Sequence, residues 1–530
     1  MKNIIVKKSI WLLTLPLALG IGGCKKYLDR QPLQESFGEL TGAQQLDGIS
    51  FTLYNVNATY AGLSSLPWID FNSIRDDDAQ KGSNLTDGAE INAEFETFKY
   101  TKDDWATDTY WNDHYYLIGQ ANKLLATADS LKLTGELVNR HRGEAYYMRA
   151  WGFFELVKAY GAVPLINYYF TKASDGIKAK SPADSIYIQI DSDLVKAVQY
   201  LPLDWTDAAT NTNPYPGRLS KGAALTLAAQ TYLFRSKWTQ VASLCKQVIA
   251  LSKYSLNPSF INVFQDGLGG VPGAGKNGIE SIWEAQSLVT AGGAVNQGAD
   301  WGKAQAVRQG GASTIWNLGY GWNTPTDVLV GAWDNTDPRK NETILYSGQF
   351  DGGPATGGFG ATLPAYAPGT GLDQKYWNKK TYIGNDPAMR TLTNTATNGG
   401  SGTWINHRIL RYADVLLMLA EASNETGDGV TAAANLELVR NRASGNLGAL
   451  RTVLPYIPFT SKVQMSTAIK NERRWEFAME GYRFYDLVRW NDAVSVLGGL
   501  GYTDRCALYP IPQPAINSSN GVLAQNPLWP

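Results

Sequence analysis

The clearest hydrophobic pattern lies in the C-terminal quarter of the chain. Across residues 408–425, charged side chains recur at steps of three and four residues, and apolar side chains fill the faces between them. This spacing predicts one amphipathic helix, stopped by glycines at 427–429, with Thr431 placed to cap a second helix that runs to Ala443. A third helical segment is expected to begin near Ser461.

The charges of this third segment are too regular for a solvated helix face. Glu476 and Glu480 stand four residues apart with like sign, which weakens an isolated helix, so each should have a cationic partner elsewhere in the fold. Charges of alternating sign continue from Arg483 to Arg489 among aromatic residues. We interpret residues 472–489 as a buried, internally paired ion network with a structural rather than catalytic role.

Helical periodicity also dominates residues 110–251. Residues 181–184, Ser-Pro-Ala-Asp, have the pattern of a capping box that opens a helix ending before Pro202. A first helix is predicted over residues 46–60. Paired helices with alanine at their contacts indicate a mainly α fold with tetratricopeptide-like packing, although the strict repeat of about 34 residues is missing.

Residues 66–88 have no helical period. They combine aromatic side chains, an arginine and several acids, so we expect a loop that presents side chains. Asp76, Asp77 and Asp78 are consecutive within it. Because consecutive side chains point in different directions, this run favours a turn or cap over a calcium site.

The N-terminus has the layout of a secretory signal. Three lysines precede an apolar run from Ile10 to Leu19, which is too short to span a bilayer. The run ends at Gly23 and Cys24, a pattern similar to a bacterial lipoprotein cleavage site, so Cys24 is expected to carry the lipid anchor. The alternative is a signal peptide that only happens to precede a cysteine.

Composition changes after residue 252. Residues 265–402 hold 27 of the 53 glycines, which predicts a loop-rich region with short strands, the clearest at 279–284. A helical scaffold on both sides can hold these loops, and binding sites are often found on loops held in this way. The predicted organisation is a signal peptide at 1–23, an N-terminal helical part at 24–252, a ligand-binding insertion at 253–407 and a C-terminal helical part at 408–530.

Charge and motifs argue against several classes of protein. Without its first 23 residues the chain keeps 44 basic and 48 acidic residues, a net charge of −4. This balance does not indicate a nucleic-acid-binding protein, which typically has an excess of basic residues. The three histidines form no zinc or hydrolase motif, and Cys245 and Cys506 provide no disulfide framework. Residues 270–276 match a phosphate loop, but Asn277 replaces the required Ser or Thr. We therefore expect no enzyme, no metal and no cofactor.

Aromatic residues are abundant, with 17 Trp and 28 Tyr, and several lie in the glycine-rich region. An aromatic ring can stack on the apolar face of a pyranose while amides and charged groups bind its hydroxyls. The alternative is that these tryptophans anchor a region that lacks a core. The predicted ligand-binding residues are Trp68, Arg75, Trp301, Trp316, Asn317, Tyr320 and Trp322, arranged as one open oligosaccharide platform, with Asn323 also near enough to contact hydroxyls.

Several segments, taken in order, resemble one known family. The C-terminal signature of the SusD/RagB family is similar to Arg408-Ile-Leu-Arg411 through Ala422, to Val439-Arg-Asn-Arg-Ala443, to Glu472-Arg-Arg-Trp-Glu-Phe-Ala478, to Gly481-Tyr-Arg-Phe-Tyr-Asp-Leu-Val-Arg-Trp490 and to Leu508-Tyr-Pro-Ile-Pro512.

This resemblance implies a function as well as a fold. Members of the family are lipid-anchored outer-membrane proteins of Bacteroidota that bind nutrients, mostly oligosaccharides, and cover a TonB-dependent transporter of the SusC type. The resemblance therefore implies a glycan ligand, a SusC-like partner and a location on the outer membrane facing the exterior. Lys25 and Lys26 depart from the acids usual after the anchor of exported lipoproteins. Two alternatives are peptide binding of the RagB type and a protein-interaction scaffold without a small ligand.

Overall fold

The structure is a computed structural model. It describes residues 41–55, 66–83, 93–207, 209–265, 275–289, 296–297, 300–308, 316, 318–353, 358, 360–368, 374–382, 403–448 and 450–530. The predicted anchor Cys24 and the predicted ligand-binding Asn317 lie outside these ranges. None of the helices in the described ranges is both long and apolar enough to cross a membrane.

The chain is mostly helical, as predicted. Its α-helices are α1 (Gly42–Asn55), α2 (Leu66–Asn72), α3 (Ala93–Glu96), α4 (Trp105–Ser130), α5 (Glu136–Tyr160), α6 (Ala183–Tyr200), α7 (Lys221–Phe234), α8 (Trp238–Ala250), α9 (Asp300–Gln305), α10 (Asp327–Ala332), α11 (Pro338–Thr343), α12 (Tyr412–Glu425), α13 (Gly429–Ala443), α14 (Lys462–Glu476), α15 (Arg483–Arg489), α16 (Ala493–Leu497) and α17 (Gln513–Ser518). Consecutive long helices pack as pairs: α4 on α5, α5 on α6, α7 on α8 and α12 on α13.

One large hydrophobic core joins these pairs. Helix α5 lies at its centre and is buried on nearly all sides, because α4, α6 and α1 surround it. Gly152 lies where α5 meets α4, and a Cβ there would stand 3.0 Å from the side chain of Ile118. Small residues at such contacts let two helices approach closely, so the alanine- and glycine-rich pattern does reflect helix pairing.

Ten short strands lie in the described ranges. They are β1 (Ala79–Gly82), β2 (Val163–Pro164), β3 (Lys180–Ser181), β4 (Ser281–Ala285), β5 (Leu288–Val289), β6 (Asn296–Gln297), β7 (Trp322–Pro325), β8 (Ile344–Tyr346), β9 (Tyr376–Asn378) and β10 (His407–Arg411). All pair antiparallel, as β1 with β7, β2 with β3, β4 with β10, β5 with β6 and β8 with β9. Strand β4 confirms the predicted strand at 279–284.

The single helix predicted over residues 408–425 is wrong at its start. Residues 407–411 form β10, with Arg408 opposite Glu284 of β4, and the helix begins only at Tyr412. The three- and four-residue spacing of charges is real, but β4 supplies backbone partners from a distant part of the sequence. Such tertiary pairing overrides a local helical pattern.

The helix ends show which side chains cap them. Ser461 accepts a hydrogen bond from the Gln464 backbone N–H at 3.2 Å, as predicted for the third segment. Thr431 is not the cap of α13, because Asp428 accepts the hydrogen bond from the Thr431 N–H at 3.0 Å. Helix α6 spans the predicted residues, but Pro182 occupies its cap position without a side-chain hydrogen bond, so the predicted capping box is not formed.

Residues 66–72 form helix α2 rather than a loop, and most of its residues are buried. The acidic run that follows is a turn, as predicted. One carboxylate oxygen of Asp76 accepts hydrogen bonds from the backbone N–H groups of Asp78 and Ala79 at 2.8 and 2.9 Å. The next two acids form ion pairs with Arg474, at 2.9 Å from Asp77 and 2.5 Å from Asp78.

The predicted buried ion network is confirmed at Glu476, which is fully buried. Its carboxylate accepts hydrogen bonds from three guanidinium groups, those of Arg339, Arg411 and Arg442. Burial by itself would raise the pKa of Glu476, but these arginines lower it well below its usual value. Because Arg339 belongs to α11, the network also ties the insertion to the C-terminal helices.

Glu480 has cationic partners too, as its spacing from Glu476 predicts. It accepts hydrogen bonds from Arg411 at 2.8 Å and from Lys380 at 2.7 Å. Arg483 pairs with Asp77 at 2.8 Å, outside the third segment. The like-charged glutamates are therefore held in place by residues from four separate parts of the chain.

Candidate functional site

The structure brings five of the predicted binding residues into one hydrophobic cluster. Together with residues such as Leu66, Trp377 and Trp404, this aromatic cluster contains Trp68, Trp301, Trp316, Tyr320 and Trp322. It lies between α2 and the insertion, and it is separate from the helical core. The prediction that these rings gather at one place agrees with this arrangement.

The rings do not form an open platform. Trp301, Trp316 and Trp322 are only 4%, 5% and 5% exposed. Trp301 stacks on the imidazole of His407, with ring centroids 4.4 Å apart. Leu318, Leu345 and Leu363 of the insertion are buried in the same cluster, so these tryptophans form part of a hydrophobic core of the insertion.

Trp68 and Tyr320 differ from the other rings because they are only partly buried. The Trp68 ring stands edge-on to His407 at 4.3 Å and packs against Gly481. Gly481 has a φ of +76°, and a Cβ at this position would collide with the Trp68 ring. A glycine is therefore required where the indole crosses the backbone.

Arg75 has a structural role that excludes it from an open site. It is 1% exposed, and its guanidinium lies between the rings of Phe484 and Tyr509, 3.8 and 3.9 Å from their centroids. It also donates hydrogen bonds to the hydroxyl of Tyr100 at 3.0 Å and to the carbonyl of Cys506 at 2.6 Å. A buried cation with these partners stabilises the contact between the acidic turn and the C-terminus.

Asn323 is also committed to the interior. It is fully buried, donates to Gln305 at 2.8 Å and accepts from the hydroxyl of Ser73 at 2.8 Å. Its side chain connects the start of β7 to α9 and to the end of α2. Both groups of the amide are thus used within the protein.

Tyr320 packs against the cluster through Trp322, and polar side chains from three distant segments meet near the following residue, Gly321. We call this group, Ser83, Arg308, Tyr320 and Gln374, the loop edge. Arg308 contacts the hydroxyl of Ser83 at 3.3 Å, and Gln374 donates to the Ser83 carbonyl at 2.6 Å. The pairing of β1 with β7 places Gly82 opposite Trp322, so Ser83 follows directly after the paired residues.

Ser83, Arg308 and Gln374 come from three separate parts of the sequence. Sequence reasoning missed Ser83, Arg308 and Gln374, because ordinary polar residues in three separate segments carry no shared motif. Only the strand pairing shows that they meet.

The loop edge combines an aromatic ring with hydrogen-bonding groups. The ammonium group of Lys303 lies 5.3 Å from the centroid of the Tyr320 ring. Burial lowers the pKa of Lys303, and the nearby Asp300 opposes that shift. A partly exposed ring with an ammonium group over it and a guanidinium group close by suits a polyhydroxylated ligand, because the ring can take an apolar face and the polar groups can bind hydroxyls.

His407 is unsuited to acid–base chemistry at neutral pH. Burial, aided by the charge of Arg408, lowers the pKa of its imidazole to about 3. The histidine therefore stays neutral and acts as a flat surface between Trp68 and Trp301. In the described part of the chain, acids, histidines and cysteines form no group that could hold a metal ion.

The partial phosphate-loop motif also has a structural explanation at its lysine. The ammonium group of Lys276 donates hydrogen bonds to the carbonyl of Trp404 at 3.0 Å and to that of Ser287 at 2.5 Å. A strand, β4, rather than a helix follows it. The helix N-terminus that a phosphate requires is therefore missing at this position.

Two family models match the chain and together cover most of it. The model described as "SusD family" matches residues 250–505, and the model described as "Starch-binding associating with outer membrane" matches residues 26–233. The gap between the two matched ranges is short and falls at α7 and α8. The chain therefore matches the family in both of its helical parts.

Similar proteins agree with these matches. The chain is 26% identical over 420 residues to SusD-like protein P38 of Formosa agariphila, covering 76% of each protein. It resembles the solved structure of a SusD homolog from Bacteroides thetaiotaomicron with a TM-score of 0.73 at 22% identity, covering 92% of this chain and 97% of the other. It also resembles a laminarin-binding SusD-like protein, with a TM-score of 0.70 at 25% identity, covering 92% and 99%.

Proposed function

Since the chain belongs to the SusD/RagB family, we propose that it binds oligosaccharides and takes part in their uptake at the outer membrane. The observation that best supports this proposal is the structural similarity, over 92% of the chain, to a protein named as a laminarin-binding SusD-like protein. The role is binding rather than catalysis. In this proposal the lipid is attached at Cys24, and the chain delivers its ligand to a SusC-type TonB-dependent transporter.

We place the glycan at the loop edge, where the insertion, residues 253–407, meets the end of β1. Tyr320 is a partly exposed aromatic residue there, and Arg308, which packs against the neighbouring Gly321, supplies guanidinium donors. Gln374 is buried and its amide bonds to Ser83 and Thr324, so it holds Ser83 in place rather than contacting the ligand. Trp68 is the second partly exposed ring of the cluster and a second candidate contact. The buried Trp301, Trp316 and Trp322 support these rings from behind.

The binding test is calorimetry on the chain without its first 24 residues. The ligands are laminarihexaose and a panel of neutral and acidic oligosaccharides. We expect Tyr320→Ala to weaken glycan binding by about 1–2 kcal/mol, since it removes a stacking ring, which is roughly a tenfold change in Kd. The matched control is Tyr116→Ala, because Tyr116 is 51% exposed on the helical scaffold. That control should bind like the parent.

Salt dependence separates a neutral glycan from a charged ligand. Binding by stacking and desolvation should change little between low and high salt, whereas an acidic peptide held by Lys303 and Arg308 should bind more weakly as salt screens the charges. A peptide that binds while every neutral glycan fails would establish the alternative function of the RagB type. Glycan binding that is unchanged in Tyr320→Ala would show that the loop edge is the wrong place.

The proposed anchor has its own experiment. Cys24→Ala should leave the protein uncleaved or soluble in the periplasm, because the acyl chains that hold it to the membrane are gone. Lipid labelling and membrane fractionation measure this directly. A Cys24→Ala protein that still carries the lipid label would contradict the assignment, and protease treatment of intact cells would show which side of the membrane it faces.

A further inference from the structure

A second pocket lies on the helical scaffold and shares no residue with the loop edge. Its cavity volume is about 260 Å³. The walls come from the loop between α6 and α7, from Lys253 and Tyr254 in the segment after α8, and from β4 with the turn before it. This volume is a little below the roughly 300–1,000 Å³ of pockets that hold drug-sized ligands, so it suits a ligand of one or two rings.

Aromatic rings and hydroxyls line this scaffold pocket together. Trp205, Tyr254 and Trp283 are among its lining residues, the Trp283 ring also packing edge-on against Tyr147 and Trp151 of α5, and the hydroxyl of Ser220 lies 2.8 Å from that of Tyr254. Ser281 of β4 adds a further hydroxyl to the wall. The mixture of flat apolar surfaces and hydroxyls matches the two kinds of surface that a sugar ring presents.

The charges at the scaffold pocket are balanced. Arg218 donates hydrogen bonds to both carboxylate oxygens of Glu144, at 2.7 and 2.6 Å. Lys253 at the rim donates to Asp204, which lowers the pKa of Asp204 to about 2. Because each cation has its own carboxylate, the pocket offers no excess charge for an anion or a cation, and a neutral ligand fits it best.

One buried donor in this wall is unsatisfied within the described residues. Trp283 is 3% exposed, and its indole N–H has no hydrogen-bond partner there. By contrast, the indole N–H of Trp205 donates to the carbonyl of Leu219 at 2.8 Å. A buried N–H without a partner is costly, and a ligand hydroxyl is one group that can satisfy it.

The wall is also rigid before any ligand arrives. The side-chain amides of Asn277 and Gln286 exchange two hydrogen bonds, at 2.8 and 2.9 Å. Glu284 accepts hydrogen bonds from the backbone N–H of Asn277 at 3.1 Å and from the side chain of Asn406 at 2.7 Å. A pre-formed pocket loses less entropy when it binds a small ligand.

From this geometry we propose that the scaffold pocket binds a single neutral sugar ring, as a second site independent of the loop edge. The indole N–H of Trp283 donates to a ring hydroxyl, and the hydroxyls of Ser220 and Tyr254 complete the contacts. This assignment rests on the lining of the pocket itself. It holds whether the loop edge binds a glycan or a peptide.

The experiment uses saturation-transfer NMR on the chain without its first 24 residues. Methyl β-glucoside and methyl β-galactoside are the neutral probes. Saturable binding of one of them in the millimolar range is expected. Ser281→Phe fills the pocket and should weaken that binding more than about tenfold. Trp283→Phe keeps a ring but removes the donor, so it should cost about fivefold, the value of one hydrogen bond.

Two controls make the result specific. Ser255→Phe places the same ring on an exposed residue outside the pocket lining and should bind as the parent does. Tyr320→Ala should leave monosaccharide binding unchanged even where it removes oligosaccharide binding, so the failure of one site is distinguishable from the failure of the other. Melting temperatures close to that of the parent show that each variant is folded.

Three outcomes would overturn the proposal. One is the lack of saturable binding by either neutral probe. The second is binding that Ser281→Phe leaves intact, which would place the sugar elsewhere. The third is tighter binding of glucose 6-phosphate than of the glucoside, which would show that the pocket selects an anion.

Discussion

The ion network around Glu476 and the aromatic cluster around Trp301 are both buried, but the sequence predicts burial only for the ion network. The charges of the network were predicted to be internal, and they are. The rings of the cluster were predicted to be open to a ligand, and three of them are closed in. Both regions join the insertion to the rest of the chain, so the difference lies in the chemistry of the side chains rather than in their location.

The spacing of charged residues predicts which groups must surround them, whereas the position of an aromatic residue does not. Two glutamates at helical spacing repel each other, so their presence implies cations nearby. A tryptophan is equally compatible with a core and with a binding surface, because both need a large flat ring. The sequence therefore reveals that Glu476 has partners, but it leaves open which face of Trp301 is covered.

The largest expected effect comes from removing the centre of the network. Glu476→Ala leaves three buried guanidinium groups without a shared carboxylate, so we expect the free energy of unfolding to fall by about 5 kcal/mol. Urea unfolding measures this change. A midpoint equal to that of the parent would mean that these charges are solvated and that the contrast with the aromatic cluster is false.

The next effect tests whether the aromatic cluster is a core. Trp301→Ala removes a 4% exposed ring stacked on His407 and should cost about 3 kcal/mol of stability. Tyr320→Ala, at the partly exposed edge, should cost clearly less while affecting ligand binding more. If Trp301→Ala unfolds at the parent midpoint but loses its ligand, the ring belongs to the binding surface after all.

Measuring stability as a function of pH distinguishes the aromatic cluster from the ion network, because different groups titrate in each. The pKa of His407 is about 3 when folded and about 6.5 when unfolded, so the unfolded chain binds the proton first as pH falls. Stability from His407 is thus complete above pH 6.5 and is lost between pH 6.5 and 3, by about 1 kcal/mol at pH 5.5. The arginines around Glu476 and Glu480 outweigh burial and lower the pKa of both carboxyls, so the stability that these two groups contribute is lost only below about pH 4.

His407→Phe isolates the histidine contribution. Because phenylalanine does not titrate, the loss of stability between pH 7.5 and 5.5 should be smaller by about 1 kcal/mol in this variant. His114, whose pKa burial lowers to about 4, remains as a second source of the slope. A slope identical to that of the parent would show that His407 is protonated, and therefore hydrated, in the folded protein.

The smallest expected change in stability comes from an exposed ion pair, which serves as the comparison for the buried ion network. Glu136 pairs with Arg140 at 2.5 Å on the surface of α5, with the glutamate side chain 79% exposed. Glu136→Gln should change stability by about 0.5 kcal/mol or less, and high salt should remove even that. A loss as large as that of Glu476→Ala would mean that burial does not distinguish the two classes of ion pair.

Much of the scaffold follows from local pattern. Helical spacing gives the range of α6 and the end of α13, and Ser461 marks the start of α14 because a hydroxyl there can cap the first turn. The spacing of Glu476 and Glu480 predicts partners for Glu476 because like charges four residues apart weaken a helix, although α14 ends at Glu476 and Glu480 lies in the turn beyond it. These features depend on neighbours in the sequence.

The tertiary structure decided the rest, because burial and strand pairing depend on residues far apart in the chain. Residues 407–411 are a strand only because β4 lies beside them, and Arg75 is structural only because Phe484 and Tyr509 enclose it. The loop edge exists because β1 pairs with β7 and brings Gly82 opposite Trp322, while Arg308 and Gln374 bond to Ser83. No local period encodes such contacts, so the sequence determined the scaffold of this protein while its packing determined which side chains remain available to a ligand.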